Sequence, residues 1–334
     1  MSLLSSVSLT LADLAKRQEG TDAGKKIAMI IEILSLQNEM LQDIPWMPGN
    51  DGTGHKTTVR SGLPSGTWRK LNYGVQPEKS TTVQIRDQTG MLETYSEIDK
   101  KLVAISQDKE GFMMSESRAF LEGMSQNMGT QIIYGDAAVN PERITGLTPR
   151  FNSLSAENGD NIIDCGGTGS TNTSMWLIAW GDTTVHGIFP AGSVGGIQIG
   201  ETKEETLLDN QTPPGKYEGY RTHYSWDAGL TVRDWRYVVR AANIDVTALK
   251  KDAATGVDLV DVMVQMLELL PNETTGTLRF YVPRVVRSYL RRQIKNSKNV
   301  FINMGEVAGK KAVMFDDVPV RRMDAILSNE ARVV

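Results

Sequence analysis

The chain has little of what covalent or metal chemistry requires: one cysteine and three histidines in 334 residues. A single thiol, Cys165, excludes an intrachain disulfide framework and a multi-cysteine metal site, and it fits folding in a reducing cytoplasm. His55, His186 and His223 stand far apart, and no pair has the i, i+4 or short-loop spacing of a metal site. Long apolar runs are missing as well. Residues 1–12 have no basic stretch ahead of their apolar side chains, and Asp13, Lys16 and Arg17 interrupt any longer run, so neither a secretory leader nor a membrane span is expected. Nor is one sign of charge in large excess: 36 Lys plus Arg face 40 Asp plus Glu, and a net charge of −4 gives no general pull toward a polyanion. Contact with nucleic acid would have to come from a local patch.

Nucleotide motifs are also absent. Gly20 to Lys26 and Gly305 to Lys311 each place three residues between the glycines, not four, and lack the Ser or Thr after the lysine that a phosphate loop uses. Gly166, Gly167 and Gly169 form a flexible turn without the dinucleotide fingerprint. Asp316 and Asp317 fall between two strand patterns, where aspartate serves a turn better than an acid/base pair. No catalytic, cofactor-binding or metal-binding residue is assigned.

What is present is the balance of an ordered protein, 40% hydrophobic and 23% charged, long enough for about two compact units. Helical spacing predicts helices over 8–18 and 24–42, the second through Ile27, Ile30, Ile31, Leu34 and Met40 or Leu41. The prolines and glycines from Ile44 to Gly52 then read as a hinge. From Lys56 to about Ile105 the pattern is that of strands, with alternation at 57–60 and 81–85 pointing to a long hairpin. Residues 51–90 carry few large aliphatic side chains, so the hairpin must lean on another surface, such as a neighbouring subunit.

The longest predicted helix covers 107–134, with Met113, Phe120, Met124, Met128 and Ile132 near helical spacing and Ser106 or Asp108 as its cap. Gly123 and Gly129 inside it suggest either close approach of another backbone or a tolerant surface. Gly135 is expected to end the helix in the left-handed conformation, with Asp136 bonding to exposed backbone. Beyond it, strands are predicted at 175–180, 185–189 and 235–240, a buried helix at 257–270 ended by Pro271, and a strand at 276–282. Pro283 opens a helix to about Asn296, and strands at 311–315 and 318–322 follow. On that last helix Arg284, Arg287, Arg291, Lys295 and Lys298 recur at steps of three and four, while Val286, Tyr289, Leu290 and Ile294 take another face. Such a stripe faces phosphate, an acidic partner surface, or solvent with ordinary counter-ions.

The order is a helical arm, a core-poor hairpin, one long helix closing on Ile132 to Asp136, then Pro141 and Ile144-Thr145-Gly146-Leu147, a Gly-rich β region and a closing helix with strands. It resembles the major capsid proteins of tailed double-stranded DNA bacteriophages with the Hong Kong 97-type fold, in particular the shorter, podovirus-like ones. The resemblance implies an α+β fold with an N-terminal arm (1–50), an extended E loop (51–95), and a peripheral domain (96–149) whose spine helix is 107–134. It further implies an axial domain (150–275), mainly β with the buried helix 257–270, and a C-terminal return to the peripheral domain (276–334). Trp68, Arg69, Lys70 and Tyr73 become E-loop contacts, the five spaced spine residues a core, and the basic stripe an intersubunit or DNA-facing surface.

The implied function is structural. Copies would assemble into pentamers and hexamers of an icosahedral shell around the viral double-stranded DNA, touching that DNA weakly and non-specifically. A separate scaffolding protein and a portal protein would be partners, with the presence of a decoration protein left open and no membrane involved, and assembly would occur in the host bacterial cytoplasm. Two other readings stay open: a tail or neck component, and a cytoplasmic α+β enzyme assembled from distant residues such as His186, His223 and Asp227.

Overall fold

A computed structural model describes residues 18–19, 26–27, 38–106, 108–209, 212–249, 257–296, 302–307 and 310–334. Near the start, β1 (Gln18–Glu19) and β2 (Lys26–Ile27) pair antiparallel, which replaces the beginning of the helix predicted over 24–42. Short apolar runs fit either period, and here the extended one prevails. Of that predicted helix only α1 (Met40–Asp43) is helical among the described residues, and most of the helix predicted over 8–18 lies outside them. The predicted hinge contains β3 (Trp46–Pro48), a strand with one neighbour, the position in which a proline costs no ladder bond.

The hairpin is formed by β4 (Gly54–Gly62) and β5 (Thr81–Asp99), with His55 opposite Asp87 and Val59 opposite Val83. Strand structure ends at Asp99 rather than near Ile105, because the Asp99 side chain accepts the Lys101 amide at 2.7 Å and starts α2 (Lys100–Ser106). Next comes α3 (Lys109–Tyr134), capped by Asp108, whose carboxylate accepts the Gly111 amide at 2.9 Å. The following strands are β6 (Ile162–Asp164), β7 (Asn172–Trp180), β8 (Val185–Phe189), β9 (Gln198–Ile199), β10 (Lys203–Leu208) and β11 (Lys216–Val232). β12 (Val238–Asp245) starts later than the predicted 235–240 strand, since Asp234 accepts the Arg236 amide at 3.1 Å and winds 235–237 into a single 3-10 turn. After α4 (Leu259–Glu268), β13 (Thr277–Val282) and α5 (Arg284–Asn296), the chain closes through β14 (Ile302–Val307), β15 (Lys310–Phe315) and β16 (Val318–Arg322). Gly305 pairs with Ala312 in the β14–β15 ladder, so Gly305 to Lys311 is a hairpin. Asp316 and Asp317 adopt φ of 45° and 64° in the turn before β16.

Two compact units result, one made of 1–36, 91–128 and 196–227, the other of 37–90, 129–195 and 228–334. In the first, β9 and β10 pair antiparallel with β11, and Ile98, Leu102, Val103 and Phe112 gather into a small core. Phe120 of α3 stacks on Tyr224 at 5.5 Å, and the Tyr224 hydroxyl lies 2.7 Å from Ser117 Oγ. In the second unit β7 lies between β12 and β13, and all nine of its residues are buried, which is why Met175 to Trp180 reads as a continuous apolar run. Helices α4 and α5 cover this sheet with Leu259, Met263, Met266, Val286 and Leu290, each such side chain contributing about 1.5–3 kcal/mol by leaving water. Gln293 joins the two helices, accepting from the Leu259 amide at 3.2 Å and donating to the Val257 carbonyl at 2.9 Å.

Gly135 does not take the left-handed conformation expected of a helix stop; it is absent from the positive-φ positions. Its amide still donates to Gln131 O at 2.8 Å, and the chain then folds back so that Gly146 donates to Gly135 O at 2.8 Å and Leu147 to Ile132 O at 2.9 Å. The returning segment thus satisfies the open carbonyls of the last turn. A Cβ on Gly135 would lie 2.4 Å from Ile144 O, and one on Gly146 would lie 2.6 Å from Gln131 O, so both glycines exist for close approach of backbone. Gly129 is likewise packed, its Cβ position 2.8 Å from the Asn38 amide nitrogen, whereas Gly123 faces open space.

Next to this turn lies a buried charge network. Arg240 on β12 donates to Glu330 Oε2 at 2.9 Å, to Ser174 Oγ at 3.1 Å and to the Phe151 carbonyl at 2.6 Å, and its guanidinium sits 5.1 Å from the Trp176 ring. Ser174 and Tyr134 both donate to the Glu330 carboxylate, and the Tyr134 hydroxyl accepts the Leu327 amide at 2.8 Å. Burial, with the Glu330 carboxylate alongside, raises the Tyr134 phenol well above its ordinary pKa, which keeps it a donor.

Two outcomes follow from this packing. Gly135→Ala should lower stability by about 1–3 kcal/mol, whereas Gly123→Ala should be neutral or gain up to about 1 kcal/mol, as read by melting temperature. Glu330→Ala should cost about 3–5 kcal/mol by leaving Arg240 charged and unpaired, and the Arg240→Met, Glu330→Leu double variant should recover most of that loss in urea unfolding.

Candidate assembly surfaces

Among the described residues, the hairpin tip, 63–80, is held by local polar bonds. Glu78 accepts from the Gly66 amide at 3.0 Å and Tyr73 N donates to Lys70 O at 3.2 Å, while Gly66 and Asn72 take φ of 67° and 70°. These turns leave the large side chains outside: Trp68 is fully exposed, Leu71 is 85% exposed, and Leu63 and Tyr73 are exposed beside them. Arg69 and Lys70 flank the tryptophan and are exposed too. All four predicted E-loop residues therefore sit on one uncovered tip that mixes apolar and basic groups, a surface that calls for a cover.

In the first unit a groove runs between β5 and α3. Phe120 and Met124 form an apolar floor with Leu92, Gly123 leaves it open, and Glu93 and Glu116 stand on the rim. Among the predicted spine residues, Met124, Met128 and Ile132 are buried, and Met113 and Phe120 are half-buried. Phe112 and Ile133 are also buried, one position away from the stripe that helical spacing picks out.

On α5, Arg284 and Arg291 are exposed and Arg287 is half-buried; the side chain of Lys295 and all of Lys298 lie outside the described residues. Val286 and Leu290 face the core as expected. Arg292 joins the other arginines, and Arg322 arrives from β16, so that with Ser288 they line one hollow. Helical periodicity could not reveal Arg322, which is brought in by the parallel pairing of β16 with β13.

Folding joins two of the three histidines. His55 and His186 meet edge to face at 5.6 Å, Arg233 Nη2 lies 3.3 Å from His55 Nε2, and Asp87 nearby pairs with Arg150 at 2.8 Å. Burial lowers the pKa of His186 to about 4, aided by Arg233 and His55. His55 is lowered first by burial and then by Arg233, with Asp87 opposing. His223 instead stacks on Tyr95 at 4.5 Å with Glu93 3.1 Å away. Burial pushes the Cys165 thiol up to about 12, which makes it a poor nucleophile. Both buried histidines have folded-state pKa values below the ordinary value near 6.5, so their contribution to stability is present above that pH and is lost as pH falls toward about 4. The melting temperature should drop over this window, and His186→Asn should flatten part of the drop.

A family model described as major capsid protein GP7 matches residues 22–334. The solved structure of bacteriophage Epsilon15 aligns with a TM-score of 0.81 and 36% identity, covering 100% of this chain and 99% of that chain. The capsid of bacteriophage JBD30 aligns with a TM-score of 0.46 and 10% identity, over 95% of this chain and 99% of its own. No curated protein sequence matches.

Proposed function

The chain belongs to the family of the major capsid protein GP7, as a major capsid protein of a tailed bacteriophage with the Hong Kong 97-type fold, and from that premise we propose how its copies hold together. The E-loop tip of one subunit lies on the next, and its Trp68, Leu71 and Tyr73 leave water there. The carrying observation is that these side chains are exposed on a hairpin without a core of its own. The groove of Phe120, Met124 and Leu92 suits them as a receiving surface on the second copy, since its rim carboxylates, Glu93 and Glu116, complement Arg69 and Lys70 of the tip.

On this reading, 1–50 is the arm, 51–95 the E loop, 96–149 and 276–334 the peripheral domain, and 150–275 the axial domain. Copies form the pentamers and hexamers of an icosahedral shell around double-stranded DNA. A separate scaffolding protein guides closure in the host cytoplasm, and a portal protein takes one vertex. Among the described residues, no helix is long and apolar enough to cross a membrane.

Electron microscopy of the purified chain, with and without its scaffold, tests the reading: shells or rings of five and six are expected, and persistent small oligomers under every condition would sink it. Trp68→Ala should leave the melting temperature of the unassembled chain unchanged. It should raise the concentration needed for shells more than tenfold, as removal of a buried aromatic anchor worth about 2 kcal/mol or more predicts.

A further inference from the structure

We infer that the arginine hollow on α5 and β16 is a binding site for the phosphate groups of a polynucleotide. The inference rests on the reading of the chain as a shell subunit that encloses DNA, and it adds the residues and the chemistry of contact.

Three observations carry it. Five of the six lining residues are arginines: Arg284, Arg287, Arg291, Arg292 and Arg322, with Ser288. Only Arg322 among them has a carboxylate within ion-pair distance among the described residues, its forked pair with Asp324; Arg284, Arg287, Arg291 and Arg292 have none. Glu39, whose charge acts on Arg287, is engaged by Arg321 at 3.6 Å, and Asp43 pairs with Arg321 at 3.1 Å and Arg279 at 3.7 Å. Among the described residues, four cations thus converge without a carboxylate at ion-pair distance, in a chain whose net charge is −4.

Second, Arg287 is half-buried, and its buried Nε has no hydrogen-bond partner among the described residues. Burial lowers its pKa, and Arg291, Arg322 and Arg321 lower it further against the opposing Glu39. Crowding of like charge at that depth is relieved by an anion with several acceptor oxygens, which the planar guanidinium fork meets bidentately. Third, the lining has no apolar side chain. A face that docks on folded protein presents a desolvated apolar centre within a polar rim, and none is offered here. The composition therefore favours phosphate on a flexible or extended polyanion over an acidic protein surface. Arginine forks meet phosphate oxygens and guanine edges alike, and a cluster of them without Asn, Gln or acid partners for the other bases favours contact with the backbone, which carries no sequence information.

The test is binding of fluorescein-labelled 20-base-pair duplexes of two unrelated sequences to the full chain, unassembled and as shells, by anisotropy between 50 and 200 mM salt. Equal affinity for both duplexes is expected. The Arg284→Gln, Arg291→Gln double variant changes two exposed side chains and should retain the melting temperature. It should reduce the slope of log affinity against log salt by about two, since each phosphate contact contributes about 0.9. The advantage of the natural chain over the variant should accordingly shrink about tenfold across that salt range. An Arg118→Gln, Arg143→Gln variant, with the same charge change at exposed positions elsewhere, should keep the slope. If the control loses as much as the hollow variant, or if the hollow variant loses nothing, the site is overturned. So it is if poly-glutamate displaces the duplex at equal charge and binds the natural chain more tightly, which would mark an acidic protein partner. Microscopy of the same samples keeps the two readings apart: normal shells with unchanged DNA binding sink the hollow alone, whereas absence of shells counts against the capsid role while binding to the unassembled chain still judges the hollow.

Discussion

The buried pair of Arg240 and Glu330 is the interaction on which most of the second unit depends. Taking a guanidinium and a carboxylate out of water costs several kcal/mol per ion, and their attraction offsets this only when every other donor and acceptor is satisfied. Here the satisfying groups come from separate stretches of chain: Tyr134 at the end of α3, Phe151 after the turn, Ser174 on β7 and Arg240 on β12. None of these can shift without leaving a charge unpaired. The C-terminal segment is the one most constrained, since Glu330 N also donates to Asn172 O at 2.9 Å and Val333 exchanges two hydrogen bonds of 2.9 Å with the Asn243 amide. Asn243 adopts φ of 58° to make that exchange, a conformation that asparagine tolerates better than most residues.

The same neighbourhood explains how α3 ends. Tyr134 cannot continue outward because its hydroxyl is held by Glu330 and Leu327, and the chain must turn at once to bring Ile144 to Leu147 back along the last turn. Glycine is required at 135 and 146 because backbone passes backbone there at distances no Cβ survives. From sequence, a glycine after a helix reads first as a left-handed cap, and only the tertiary contact with Ile144 reveals the other reason. The position of the stop was legible, and its mechanism was not.

Legibility elsewhere follows the range of the interactions. The α3 and α5 helices, the β4–β5 hairpin and the buried β7 are written in local periodicity, and periodicity found them with small errors at their ends. The same holds for the bare E-loop tip, because a stretch poor in aliphatic residues announces that it has no core. What periodicity misses is convergence. Arg322 joins the α5 arginines through parallel pairing of β16 with β13, and His55 reaches His186 across more than a hundred residues of sequence. Arg240 and Glu330 carry no local signal at all, because a buried ion pair looks in sequence like two surface charges. The β1–β2 ladder shows the opposite limit, where the local pattern is too short to choose between periods.

Charge is thus used in two ways within one unit, and screening separates their consequences. The Arg240–Glu330 pair is shielded from solvent ions by the sheet and by Trp176, so added salt acts on it little. The α5 arginines stand in an open hollow and the E-loop cations on an exposed tip, where interactions fall off over a Debye length of about 8–10 Å at physiological ionic strength. Salt can therefore weaken what the chain binds, copies of itself or an anion, while leaving the packing of each subunit intact. For a protein that must fold first and associate afterwards, this division keeps the strength of association adjustable by solution conditions within a fold whose internal charges are fixed.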